Sequence, residues 1–325
     1  MIDIRTKYAG LTLRNPLIVG SSGLTSMPDR IKEYEKAGAG AVVLKSLFEE
    51  QIEMQSDSLW KESDSSEAAD YIHEYVKANQ VNQYLEVIKK SKAICAIPII
   101  ASINCYKADM WIDFAHQVEL AGADAIELNI YFMDTDLMYD YEANCAVYVN
   151  IIRKVKETVS IPVIVKIGKS FANIPAMIHL LKINGADGVV LFNRFYQPDI
   201  NINTMQIVSG NVFSKHSDLS DTLRWTAIVS GKIPDISIAA STGIHDWEDV
   251  VKCLLAGASA IQMVSAIYTH GPEIISQILT CIEEWMNQTQ YYSLSQFKGK
   301  LNYAHIESPN MYERAQFMKY FSNRD

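Results

Sequence analysis

Short apolar runs recur along this chain in two interleaved series. One series follows small-residue turns. Ala37-Gly38-Ala39-Gly40 precedes Ala41-Val42-Val43-Leu44, and Ala121-Gly122-Ala123-Asp124 precedes Ala125-Ile126-Glu127-Leu128. Asn184-Gly185-Ala186-Asp187 precedes Gly188-Val189-Val190-Leu191, and Ala256-Gly257-Ala258-Ser259 precedes Ala260-Ile261-Gln262-Met263. The other series follows prolines: Pro16 before Leu17-Ile18-Val19, Pro98 before Ile99-Ile100-Ala101, Pro162 before Val163-Ile164-Val165, and Pro234 before Ile236-Ser237-Ile238.

The two series stay in step, and each interval holds a pair of β/α units of roughly 30 residues or a little more. The pattern predicts eight strands, alternately led by proline and by glycine, each followed by a helix: an α/β chain folded as a (β/α)8 TIM barrel. The runs are Val/Ile-rich and apolar on both faces, as parallel strands covered by helices must be. Proline suits a strand's first position, where its missing N–H costs little. Glycine suits the helix exit, where the chain turns through a left-handed conformation. An open doubly wound sheet is the alternative arrangement.

The 325 residues exceed the usual barrel of about 250, so insertions and ends must hold the rest. A single domain over 1–325 is expected, with its core at 15–288 and an extension at 289–325 packed outside the barrel. Ile4–Lys7 and Leu11–Leu13, around Ala9-Gly10, read as a hairpin plugging the barrel bottom. Two connections are long. The one after strand 2, from Leu47 to about Asn79, is acidic and Ser-rich, and the one after strand 6, from Asn193 to about Ser220, has little periodicity. Both leave the carboxyl end of a strand, the active-site end of such barrels, and loops of that size are commonly lids, binding segments or oligomer contacts.

Composition narrows the partners. A net charge of −9 argues against nucleic acid and anionic membrane surfaces, which require a basic field. No run approaches 18 apolar residues and the first residues lack a signal-peptide core, so a cytoplasmic location is expected. The five cysteines form no Cys-x-x-Cys pair, and neither an iron–sulfur cluster nor a zinc site, nor any other metal centre, is expected.

The residues at the carboxyl ends of the predicted strands face the barrel mouth. They are Ser21-Ser22-Gly23, Lys45-Ser46, Ser102 and Asn104, Asn129, Lys166 and Gly168, Asn193, Ser241-Thr242-Gly243, and Val264-Ser265. This polar ring, with two lysines and no carboxylate, suits a ligand rich in acceptors and negative charge. A lysine inside a barrel is costly unless paired or bound to an anion. The small residues and hydroxyls after strands 7 and 8 lie where barrels commonly hold a phosphate, so a phosphorylated ligand is expected.

From Ile2 to about Gln288 the chain resembles the dihydroorotate dehydrogenase family of FMN-dependent barrels. The motifs that carry the resemblance are Asn15-Pro16 with Ser21-Ser22-Gly23, Lys45-Ser46, Glu127-Leu128-Asn129, Val165-Lys166, Ser241-Thr242-Gly243-Ile244 and Gln262-Met263-Val264-Ser265. The resemblance implies that FMN is bound by Ser21, Ser22, Gly23, Lys45, Ser46, Asn129, Lys166, Asn193, Ser241, Thr242, Gly243 and Ser265. It places Lys166 near N1 and O2 of the ring and the phosphate on Gly243 and Ser265. It also implies a small pyrimidine-like substrate and hydride transfer to or from the flavin. The soluble homodimeric branch is closest in layout, and an electron-transfer subunit remains an open alternative.

The departures bear on the substrate. Family members that oxidise dihydroorotate carry a Cys or Ser base in a loop of the form Asn-x-Ser-(Cys/Ser)-Pro-Asn, and here that run is Asn129-Ile130-Tyr131-Phe132-Met133-Asp134. Phe132, at the base position, accepts no proton. Tyr131 and Cys105 are the replacements on offer, and with Lys166, Tyr131 is the catalytic candidate. The family's Asn-x-x-Gly-Leu substrate loop is absent between Leu47 and Asn79, and Arg194 stands where a small residue is usual. Two alternative readings follow: a relative that binds flavin without oxidising dihydroorotate, and a different phosphate-binding barrel enzyme.

Overall fold

The computed structural model describes residues 2–48, 67–104, 108–130, 135, 140–195 and 197–313, without the side chains of 67–77, 108–111 and 113. The eight expected strands form a closed parallel sheet. They are β3 (Leu17–Val19), β4 (Ala41–Val43), β6 (Ile99–Asn104), β7 (Ala125–Asn129), β8 (Val163–Ile167), β9 (Gly188–Leu191), β12 (Ser237–Ser241) and β13 (Ala260–Met263). β13 pairs with β3 and β4 with β6, which closes the ring, and a two-residue strand, β5 (Leu47–Phe48), adds to the upper part of β6. Helices alternate with the strands on the outside.

The repeated turns do what their chemistry predicts. Gly38, Gly122, Gly185 and Gly257 all take positive φ, between 94° and 109°. The acid ending two of those turns has a second task. Asp124 accepts from the Ile99 N–H at 2.7 Å and Asp187 from the Val163 N–H at 2.8 Å, so each caps the first residue of the preceding, proline-led strand. Lys92 and Lys156 reach the same carboxylates from the preceding helices.

Alternation along each strand divides the core. Leu17, Val42, Ile99, Ile126, Val163 and Val165 face the helices, whereas Ile18, Val43, Ile100, Ala125, Ile164, Val190, Ala239 and Ala260 fill the barrel's lower interior. Tyr8, Ala9 and Leu13 join this inner layer from an antiparallel hairpin, β1 (Thr6–Tyr8) with β2 (Leu11–Leu13), which closes the bottom as expected. In the C-terminal extension, Gly299, Leu301 and Tyr303 donate backbone N–H groups to Leu254, Leu255 and Ala227 on the outer helices.

The long connections differ from expectation. After β4 the following helix spans Glu67–Ile94 among the described residues, so it is under way well before Asn79; Glu67-Ala68-Ala69 are good helix formers, which the acidic composition concealed. After β9 the segment holds a hairpin, β10 (Pro198–Asn201) with β11 (Gln206–Ser209), in which Ile200 stands opposite Ile207. Every residue of both strands is exposed, so no buried face imposes the alternation by which strands are recognised.

Candidate functional site

Above the inner apolar layer the inward positions turn polar. A cavity of about 560 Å³ opens at the carboxyl end of the barrel, lined by strand-end residues that include Ser21, Ser22, Lys166, Asn193, Ser241 and Gln262. The loop after β9 and the opening of the helix after β13 supply much of its remaining wall, with Phe213 and Tyr268 in ring contact at 5.3 Å.

Lys166 rises from the floor of this cavity and is only 7 % exposed. Its Nζ donates to Gln262 Oε1 at 3.1 Å and lies 3.8 Å from Glu127 Oε1, while Gln262 Nε2 donates to Glu127 Oε2. Glu127 is wholly buried, one layer below the strand ends. Among the described residues the strand ends at the mouth carry no carboxylate, but the carboxylate of Glu127 lies directly beneath the lysine. Beside this group, Asn193 Nδ2 donates to Asn129 Oδ1 across the mouth.

One end of the cavity is built from turns. Thr242 has φ 81° and Gly243 φ 85°, so the chain leaves β12 through two successive left-handed residues. A Cβ on Gly243 would lie 2.2 Å from the Leu219 nitrogen, so the helix Leu219–Lys232 begins directly against this turn. The Ser265 hydroxyl accepts from the Ser214 N–H at 3.0 Å and from the Ser214 hydroxyl at 3.1 Å, and His245 Nε2 lies 3.3 Å from Ser214 Oγ. Burial and the nearby His216 ring depress the pKa of His245.

Arg194 is spent on the loop: it donates to the carbonyls of Val212, Asn211 and Phe213 and pairs with Asp218 at 2.8 Å. It fixes the wall rather than offering free donors to a ligand.

The predicted residues fall into three groups. Ser21, Ser22, Lys166, Asn193, Ser241, Thr242, Gly243 and Ser265 line the one cavity, and Asn129 joins it through Asn193. Gly23 lies at its edge, where an added Cβ would meet the Tyr268 hydroxyl at 2.9 Å. Lys45 and Ser46 instead line a neighbouring cavity of about 270 Å³ with Thr25, Gln80, Gln83 and Tyr84. Lys45 is exposed. A hydroxyl chain joins the two cavities, with Ser21 Oγ 3.0 Å from Ser46 Oγ and Ser46 Oγ 2.7 Å from Ser102 Oγ. Tyr131 and Phe132 lie outside the described residues, as does Cys105. Sequence reasoning missed Gln262 and Ser214 as site residues and the buried charge of Glu127. Period-two alternation from Ala260 and from Ala125 would have pointed Gln262 and Glu127 inward.

Among the described residues, the side chains that could share a metal ion are His216, Asp246 and Asp249. Asp246 caps Asp249 N–H, and Asp249 accepts from the His245 N–H and pairs with Lys252, so these carboxylates serve the helix start.

The dihydroorotate dehydrogenase family profile matches residues 3–286. The chain is similar to the catalytic subunit of dihydroorotate dehydrogenase B (NAD(+)) of Thermoplasma acidophilum, at 26% identity over 92% of this chain and 99% of that protein. The subunit of the same name from Pyrococcus furiosus is 27% identical over 92% of this chain and 98% of its own length. That from Methanocella arvoryzae is 29% identical over 82% and 88%.

Proposed function

The chain belongs to the dihydroorotate dehydrogenase family, and from that membership we propose that it is an FMN-dependent oxidoreductase acting on CH–CH groups of a small pyrimidine-like substrate, one FMN-binding barrel domain in a cytoplasmic homodimer. The family is flavin-dependent and its members are oxidoreductases of pyrimidine biosynthesis. The observation that carries the reading is Lys166, a buried cation at the floor of a cavity of about 560 Å³, within the size range of cofactor sites.

The donor set fits a flavin mononucleotide. Gly243 occupies a turn that a Cβ would fill, next to a helix start and the Ser214–Ser265 hydroxyls, where N–H and O–H donors suit a phosphate. Lys166 would face the ring, and Ser21, Ser22, Ser241 and Asn193 would line the cavity between these two ends. When bound, the flavin supplies the hydride chemistry. The protein's part is to hold a positive charge at the cavity floor, to fix the wall through Arg194, and to keep bulk water from the buried end.

A second reading, a flavoprotein that does not oxidise dihydroorotate, is favoured by Phe132 at the family's base position and by Met133-Asp134 in place of Pro-Asn. Losing a general base is typically worth about 10²–10⁴-fold in rate, and a tyrosine such as Tyr131, with a reference pKa near 10, is a weak substitute. One experiment tests both readings. Purified protein is titrated with FMN and then mixed anaerobically with dihydroorotate while the flavin absorbance is followed. Binding of FMN with slow or absent bleaching is the expected result. No binding refutes the flavin reading, and rapid bleaching refutes the loss of dihydroorotate oxidation.

A further inference from the structure

Glu127 has no evident reason to exist in a barrel core. Its side chain is wholly buried, and one carboxylate oxygen, Oε1, has no hydrogen-bond partner. Burying an ion pair adds little stability over apolar residues of the same volume, whereas burying half of one is strongly destabilising. Glu127 and Lys166 therefore compensate each other's burial without explaining why either is present. The explanation must lie where the pair is aimed, and Lys166 is aimed at the cavity.

The geometry of Gln262 links the two charges. Its Nε2 donates to Glu127 Oε2, which fixes the orientation of the amide; its Oε1 must then face Lys166, and it accepts from Nζ at 3.1 Å. Gln262 sits on β13 and Glu127 on β7, so the amide spans the barrel and ties the lysine of β8 to a strand far away in sequence. Tyr8, in the bottom hairpin, is fully buried and Tyr84, in the helix after β4, is half-buried, and both lie within the field of this carboxylate. Burial first, and Glu127 second, raises the pKa of Tyr8; the same two causes, with a Ser102 hydrogen bond opposing them, raise that of Tyr84.

We infer that Glu127 is a positioning residue that sets the field Lys166 presents to the cavity: through Gln262 it anchors the ammonium, and its own charge offsets part of the cation's. This rests on the flavin reading of the cavity. Two neighbouring residues then act on one bound group with opposite sign, Lys166 favouring the reduced anionic form and Glu127 restraining that preference.

The test is the reduction potential of bound FMN in the natural chain, Lys166→Met, Glu127→Gln and the double variant. Lys166→Met should make the flavin harder to reduce. Glu127→Gln, which keeps the shape and an acceptor for Gln262, should make it easier, raising the reduced-to-oxidised ratio about tenfold at a fixed solution potential, or about 30 mV for a two-electron couple. An unchanged ratio overturns the inference, because Glu127 would then exert no field on the cavity. Should Glu127→Gln fail to fold, the double variant carries the comparison: it should be easier to reduce than Lys166→Met alone, and equality overturns the inference. A flavin-free measurement separates this from the cofactor assignment. Lys166→Met leaves Glu127 unpaired and should lower the midpoint of thermal unfolding, and adding Glu127→Gln should recover part of that loss. If FMN does not bind, the proposed function fails, and the unfolding series alone decides the pairing: no recovery in the double variant overturns it.

Discussion

His245 shows how one residue at the site couples to pH. It is partly buried, sits 4.7 Å from the His216 ring, and holds its Nε2 near Ser214. Burial first, and the charge of His216 second, depress its pKa below the ordinary 6.5. The unfolded chain therefore takes up this proton before the folded one does as the pH falls. The stability contributed by neutral His245 is full above about 6.5 and is lost as pH falls from there through the lower folded value. Replacing it by Gln should flatten the dependence of the unfolding midpoint on pH between about 7 and 5; a slope identical to that of the natural chain would show that another group titrates there. Residues of this kind were only partly legible in the sequence. That Lys166 and Gly243 line the cavity could be read from their places, a strand-end lysine in an apolar run and a small-residue turn after strand 7. Lys45 was read by the same logic, yet it is exposed and lines the neighbouring cavity. Strand position names a face of the barrel but does not say which of two adjoining cavities a long side chain will enter.

At the scale of elements the turns carried most of the information. The four glycine turns have the left-handed geometry their sequence suggests, and the acids at Asp124 and Asp187 repeat because each caps the start of the preceding strand. A motif that recurs in step with the fold thus has a hydrogen-bonding cause. Where burial imposed no pattern, reading failed, as with the exposed hairpin after β9. The turn after β12 combines legible and hidden features. Its glycine was read as an open phosphate seat, and the structure adds that Asp218 and Leu219 press against it. Gly243→Ala would place a Cβ 2.2 Å from the Leu219 nitrogen and 2.7 Å from the Asp218 carbonyl carbon, at φ 85°. Backbone cannot yield as a flexible side chain does, so the helix start must shift. A loss of about 1–3 kcal/mol of stability is expected from overpacking and backbone strain, with FMN binding weakened by more than the fold. Thermal unfolding and FMN titration of the variant would show it, and a variant with both unchanged would place the turn away from any ligand.

Over the whole molecule, the alternating proline and glycine series specified the barrel, because closure demands eight units and each successive pair of units leaves the same two punctuation marks. What such a pattern does not encode is how the finished barrel meets a second copy. The hairpin of β10 and β11 offers an answer in physical terms. Ile200 and Ile207 form a cross-strand pair 66 % and 74 % exposed, and Ile202 and Met205 beside them are 82 % and 87 % exposed. Between Gln197 and Phe213 the sole ionisable side chain is Asp199, in a chain of net charge −9. A large apolar patch on a monomer is unusual unless something covers it, and a patch nearly free of charge is where two copies of an acidic chain repel each other least. Ile200→Asp with Ile207→Asp would put two carboxylates opposite each other on that face, unfavourable for pairing and of small cost to the fold at side chains so exposed. Sedimentation should show a homodimer for the natural chain and a monomer for the double variant, with the same unfolding midpoint at a concentration where the natural dimer has dissociated. A natural chain that sediments as a monomer would refute the homodimer, and a double variant that remains dimeric would move the interface to another face of the barrel.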